Sequence, residues 1–138
     1  MVTLSQFGNV PANLAGNAQK TVAILNEIFA TMPGRFRFTS GYRTPAQNAA
    51  ANGVPNSYHV QALAGDFVPV DGRFVPAEKA AIAGIVAKYG GELIQHNAGS
   101  GEHYHIEPKS GNWTNAPAGG IPTVYIVAGL VLILLLID

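Results

Sequence analysis

The chain has 138 residues, enough for one globular domain and too few for two. Eight basic and eight acidic residues cancel to zero formal charge, so nothing points to a polyanion and nucleic-acid binding is not expected. There is no cysteine, which excludes disulfides and thiolate metal sites and leaves His, Asp and Glu as the only metal ligands.

The first twelve residues are weakly patterned. They carry no basic stretch followed by an apolar core, so they do not read as a secretory signal. Asn13 is a helix-capping residue type, and Leu14, Ala18, Val22, Leu25, Phe29 and Met32 follow at intervals of three and four. That stripe predicts a core helix of about five turns, ended by Pro33-Gly34. Arg35 to Thr39 alternates polar and apolar, the pattern of a half-buried strand. Thr44 then caps a short helix that Pro45 opens and Gly53 closes. Arg43 stands at the corner between strand and helix, where it can project over a cleft or form a surface ion pair.

Asn52 to Ser57 is a Gly/Pro/Asn loop leading to His59. A run of small residues, Ala62 to Gly65, precedes a strand that begins at Asp66. Little side-chain bulk separates His59 from Asp66, so the loop can fold its histidine back beside the strand's aspartate. Asp71-Gly72 reads as a hairpin turn flanked by Val70 and Phe74. Pro76 opens a second long helix, about 77–89, with Ile82, Ile85, Val86 and Tyr89 on its buried face and Gly90-Gly91 as its stop. Glu92 to His96 and His103 to Glu107 read as partner strands around a Gly/Ser/Asn turn, and Pro108 ends the pairing. The expected fold is α+β: a small antiparallel sheet with two main helices.

Lys109 to Gly120 is rich in Gly, Asn, Ser, Pro and Ala and reads as a linker. Its Trp113 either packs back on the domain or rests at a membrane interface. Residues 121–137 form a seventeen-residue stretch without charge. As a helix it would cover roughly 25 Å, slightly short of a ~30 Å hydrocarbon core. It predicts a C-terminal transmembrane helix, with a buried helix of the domain as the alternative. The expected organisation is a domain over 1–108, a linker over 109–120 and a membrane anchor over 121–137.

The chemistry lies in two clusters. One runs from Ser57 to Asp66 and holds His59 seven residues before the aspartate; the other is Glu102-His103-Tyr104-His105. A catalytic zinc needs three protein ligands, an open fourth position and a nearby base. His59, Asp66 and His105 can supply the ligands, and Glu102 the base. Strand alternation puts His103 and His105 on one face, so spacing alone lets either bind metal. It also puts Glu102 on the other face unless the strand starts after it or bulges.

Three motifs together, SGYR at 40–43, S-x-H with an Asp seven residues on at 57–66, and E-x-x-H at 102–105, resemble the zinc D-alanyl-D-alanine peptidases. That group includes D,D-carboxypeptidases, D,D-dipeptidases and L-alanyl-D-glutamate endolysins, and shares its small α+β fold with the hedgehog signalling domain. The resemblance spans about residues 10–108. It implies zinc on His59, Asp66 and His105, Glu102 as catalytic base, and Arg43 at the oxyanion or a substrate carboxyl. It further implies substrate contacts from Ser57 and, beside the site, Tyr42 and His103. The implied substrate is a peptidoglycan stem peptide. The chain departs from the family in carrying Ala62 where a glycine is usual, and His103-Tyr104 before the last histidine where Trp is common. The anchor implies a lipid bilayer as partner, with other virion proteins beside it. An anchor without an export signal suggests a lysin in the membrane of a phage virion, or alternatively in the host inner membrane. The competing function is an inactive wall-binding or structural virion protein of the same fold.

Overall fold

The computed structural model describes residues 1–98, 101–116, 124–127 and 130–133. The lead-in is more ordered than its pattern suggested. Leu4–Phe7 forms a short helix, α1, because Thr3 and Gln6 make a reciprocal capping box. Phe7 from this turn is buried. After Pro11 a 3-10 turn, Ala12–Leu14, leads into α2, Ala15–Thr31. Asn13 therefore lies inside that turn instead of capping a helix, and no side chain caps α2. The predicted stripe faces the core through Ala18, Val22 and Leu25, widened by Thr21, Ile24 and Ile28.

Strand β1, Phe36–Ser40, leads to helix α3, Pro45–Ala50, which Thr44 caps as expected, with Gln47 completing a reciprocal capping box. Strand β2 is Gly65–Pro69, helix α4 is Pro76–Lys88, and β3, Gly91–Ala98, pairs with β4, Gly101–Pro108. The four strands form one antiparallel sheet in the order β1-β2-β4-β3. Phe67 on β2 and Tyr104 and Ile106 on β4 point to the helices and are buried. Phe29 of α2 meets the Phe67 ring edge-on at 5.6 Å. Side chains alternate along a strand, so Asp66, His103, His105 and Glu107 must share the opposite face. The core thus fixes which face is left for chemistry.

Asp71-Gly72 does turn the chain, with Gly72 at φ +73°, but no return strand follows. The turn instead presents Asp71 to Arg35, which also grips Glu78 at the start of α4. Residues 109–116 run back along the domain: Lys109 N–H donates to Gly90 O and Thr114 N–H to Tyr89 O. Trp113 is buried, and its Nε1–H donates to Thr21 Oγ1 at 3.0 Å. Of its two expected positions, packing on the domain is the one adopted.

The C-terminal helix is not formed. Val124–Val127 and Leu130–Ile133 are strands, β5 and β6, paired antiparallel as a separate two-stranded sheet. These segments are rich in Val, Ile and Tyr, residue types that favour extended backbone over helix. No helix among the described residues is long and apolar enough to cross a membrane. The expected transmembrane anchor is therefore corrected, and the virion-membrane and host-membrane placements that it carried fall with it. The rest of 117–138 lies outside the described residues.

Candidate metal centre

Three local features bring the site together. First, register sets Asp66 of β2 directly opposite His105 of β4. His105 Nδ1 and Asp66 Oδ1 are 2.7 Å apart. Second, Tyr58–Gln61 is a 3-10 turn capped by Ser57, whose Oγ accepts from His59 N–H at 3.2 Å. Third, Ala62 ends that turn in the left-handed region at φ +59°, which reverses the chain into β2. The reversal returns His59 Nε2 to 3.2 Å from Asp66 Oδ2.

His59, Asp66 and His105 are 3%, 4% and 7% exposed. Burying three such groups is costly unless they are paired or bind an ion. Their donor atoms lie within 4.8 Å of one another, so one cation could be shared by all three. A tetrahedral zinc with ligands about 2.0–2.2 Å away sets neighbouring donors roughly 3.3–3.5 Å apart, which falls inside the 4.8 Å that bounds this group. Two imidazoles and a carboxylate also match zinc's preference for nitrogen and oxygen ligands in catalytic sites.

The outer nitrogens support the same fit. His59 Nδ1 donates to Gly41 O at 2.7 Å, which turns Nε2 to Asp66 as the nitrogen that would ligate an ion once it gives up its proton. His105 Nε2 lies 2.6 Å from Glu107 Oε1, which turns Nδ1 inward. In the metal-free site a proton takes the place of the cation's charge. Burial alone would disfavour charge on His105, but hydrogen bonds to Asp66 and Glu107 outweigh it and push its pKa up to about 9. Burial likewise opposes ionisation of Asp66, yet hydrogen bonds from His105 and His59 hold its carboxyl well below the usual range.

Residues 4–106 match the model of the family described as Peptidase M15. The chain belongs to the peptidase M15 family. No curated protein matches the chain closely enough to report as a relative. Peptidases of the M15 family are zinc-dependent, and the expected zinc cofactor agrees with the His59–Asp66–His105 group. Membership of the family implies a peptidoglycan substrate.

The other expected site residues divide. Arg43 reaches the centre, with Nη2 donating to Asp66 Oδ2 at 3.2 Å and Nε to Ser40 Oγ at 3.1 Å. His103 also faces the centre, with Nε2 3.9 Å from Asp66 Oδ2. Ser57 acts locally as the cap under His59. Tyr42 is half-buried against the core beside Arg43, its N–H donating to Phe7 O. Glu102 is not brought to the site. Alternation turns it to the other face of β4, where it is exposed and accepts from Gln95 Nε2 at 2.8 Å.

Two residues of the centre went unrecognised in the sequence. His96 lies opposite His103, and its ring is 5.4 Å from that of His103 and 5.3 Å from that of His105. Counting back evenly from the predicted 97–101 turn pairs His96 with Glu102, one residue off the register adopted, so the sequence carried no direct signal for this pair. Glu107 is two residues past His105, and strand period alone puts it on the same face.

Proposed function

We propose that this M15 peptidase hydrolyses peptide bonds of peptidoglycan stem peptides at a zinc centre held by His59, Asp66 and His105. The observation that carries the reading is the convergence of those three buried side chains on one point, in a chain of this family. When bound, zinc supplies Lewis-acid polarisation of the scissile carbonyl and of the attacking water.

The chain's own groups divide the remaining work. His103 Nδ1 donates to Gly101 O at 2.9 Å, so its Nε2 is the lone pair turned toward the centre. That nitrogen takes the proton of the attacking water and returns it to the leaving amine. Glu102, the base implied by the family resemblance, would need the strand to turn over to reach the same water. Arg43 stands beside Asp66, where its guanidinium meets the negative charge that develops on the carbonyl oxygen.

The test uses the purified full chain: bound zinc is measured, and digestion of isolated peptidoglycan is followed by release of new amino termini. Wild type should bind one zinc and digest. His103→Ala should keep its zinc and lose roughly 10²–10⁴-fold in rate, as for a missing general base. Glu102→Ala should stay within a few-fold of wild type. A dead Glu102→Ala beside an active His103→Ala would reverse the base assignment. Zinc without digestion by wild type would favour the inactive wall-binding reading.

A further inference from the structure

We propose that Glu107 is a positioning residue of the metal centre, whose carboxylate holds His105 in the tautomer that presents Nδ1 to the ion. The proposal rests on the zinc reading above. A neutral imidazole carries one N–H and one lone pair, and an ionised carboxylate can only accept. Glu107 Oε1 lies 2.6 Å from His105 Nε2, so the N–H belongs there. In the metal-free site Nδ1 also shares a proton, with Asp66 Oδ1 at 2.7 Å; when an ion displaces that proton, the N–H held by Glu107 stays on Nε2 and the lone pair is left on Nδ1.

Two further observations set Glu107 apart from an ordinary surface acid. His59 and His103 rest their outer nitrogens on neutral backbone carbonyls, of Gly41 and Gly101. His105 rests on a charged acceptor, which makes a stronger bond and a more basic ligand. Glu107 also stands directly opposite Glu92 in the β3–β4 ladder. Like charges in that position destabilise an antiparallel pair, so the sheet itself is not served by a glutamate at 107. The hydrogen bond to His105 is the interaction that accounts for it.

Zinc affinity of the full chain is measured by competition with a chromophoric chelator for wild type, Glu107→Ala, Glu107→Gln and the control Glu92→Gln. Glu107→Ala should weaken binding roughly 10–100-fold and shift the visible spectrum of the cobalt-loaded protein. Glu107→Gln should lose less, because its amide oxygen still accepts from Nε2–H. Glu92→Gln should bind as wild type does. Ring-nitrogen NMR of zinc-loaded wild type should show His105 protonated at Nε2, a readout that needs no variant to fold. The opposite tautomer, or Glu107→Ala with wild-type affinity and cobalt spectrum, overturns the proposal while leaving the zinc reading intact. A wild type that binds no zinc removes the zinc reading and this proposal with it.

Discussion

His105 and Asp66 tie the metal-free fold to pH in opposite directions. The pKa of His105 is raised to about 9, against about 6.5 for a free imidazole. Its contribution to stability is therefore full below about pH 6.5 and lost as pH rises through about 9. Asp66 is shifted down, so its contribution is present above about pH 4 and lost only as pH falls toward its lowered pKa. Much of both shifts is one hydrogen bond and counts once. With a chelator present, the unfolding free energy from denaturant titration should fall between pH 6.5 and 9 by an amount on the order of 3 kcal/mol, and His105→Asn should flatten that limb. A wild-type profile as flat as the variant's would show that the pair is not charged. Zinc binding must displace the Nδ1 proton, so zinc affinity should rise over the same pH range.

At the scale of elements, the 3-10 turn at Tyr58–Gln61 shows how alanine is accommodated where the family resemblance implies glycine. Ala62 is fully buried at φ +59°, a conformation glycine adopts without strain. Replacing it by glycine would relieve roughly 1–2 kcal/mol of left-handed strain. Against that stand about 0.8 kcal/mol for the lost buried methyl and about 0.4–1 kcal/mol of added unfolded-state entropy. The terms nearly cancel, so Ala62→Gly should change stability by less than about 1 kcal/mol in urea unfolding. Ala62→Val adds a β-branched side chain at positive φ in a packed turn and should lose more than about 2 kcal/mol. Equal stabilities for the two variants would contradict this account of the turn. The long elements were readable because their periods were clean, as in the Ala18–Val22–Leu25 stripe of α2. The failure at Asp71-Gly72 has a local cause: Arg35 claims Asp71 and Glu78 together, and the chain enters α4 instead of returning as a strand.

Across the whole molecule, Trp113 links parts that are distant in sequence. It donates to Thr21, and Thr21 Oγ1 donates in turn to Ala62 O at 2.9 Å, beside the turn that carries His59. Trp113→Ala removes the one tryptophan of the chain and leaves the Thr21 hydroxyl short of a partner in the core. It should lose roughly 3–5 kcal/mol, read by circular dichroism in denaturant. Trp113→Phe should lose distinctly less, since it refills most of the space. A Trp113→Ala protein as stable as wild type would mean that residues 109–116 contribute nothing to the fold.

By itself the sequence determined the α+β class and the two main helices, because helix and strand periods are written locally; the zinc family and the choice of His59, Asp66 and His105 came from the resemblance carried by three motifs in order, since spacing left His103 and His105 equivalent. Tertiary structure decided what depends on pairing. The register of β4 against β2 and β3 set Asp66 against His105, brought in His96 and Glu107, and sent Glu102 to the far face. It also decided the tail. An uncharged apolar run can pair its backbone within a helix or between two adjacent strands, and hydropathy alone does not distinguish them. The pairing of Val124–Val127 with Leu130–Ile133 does.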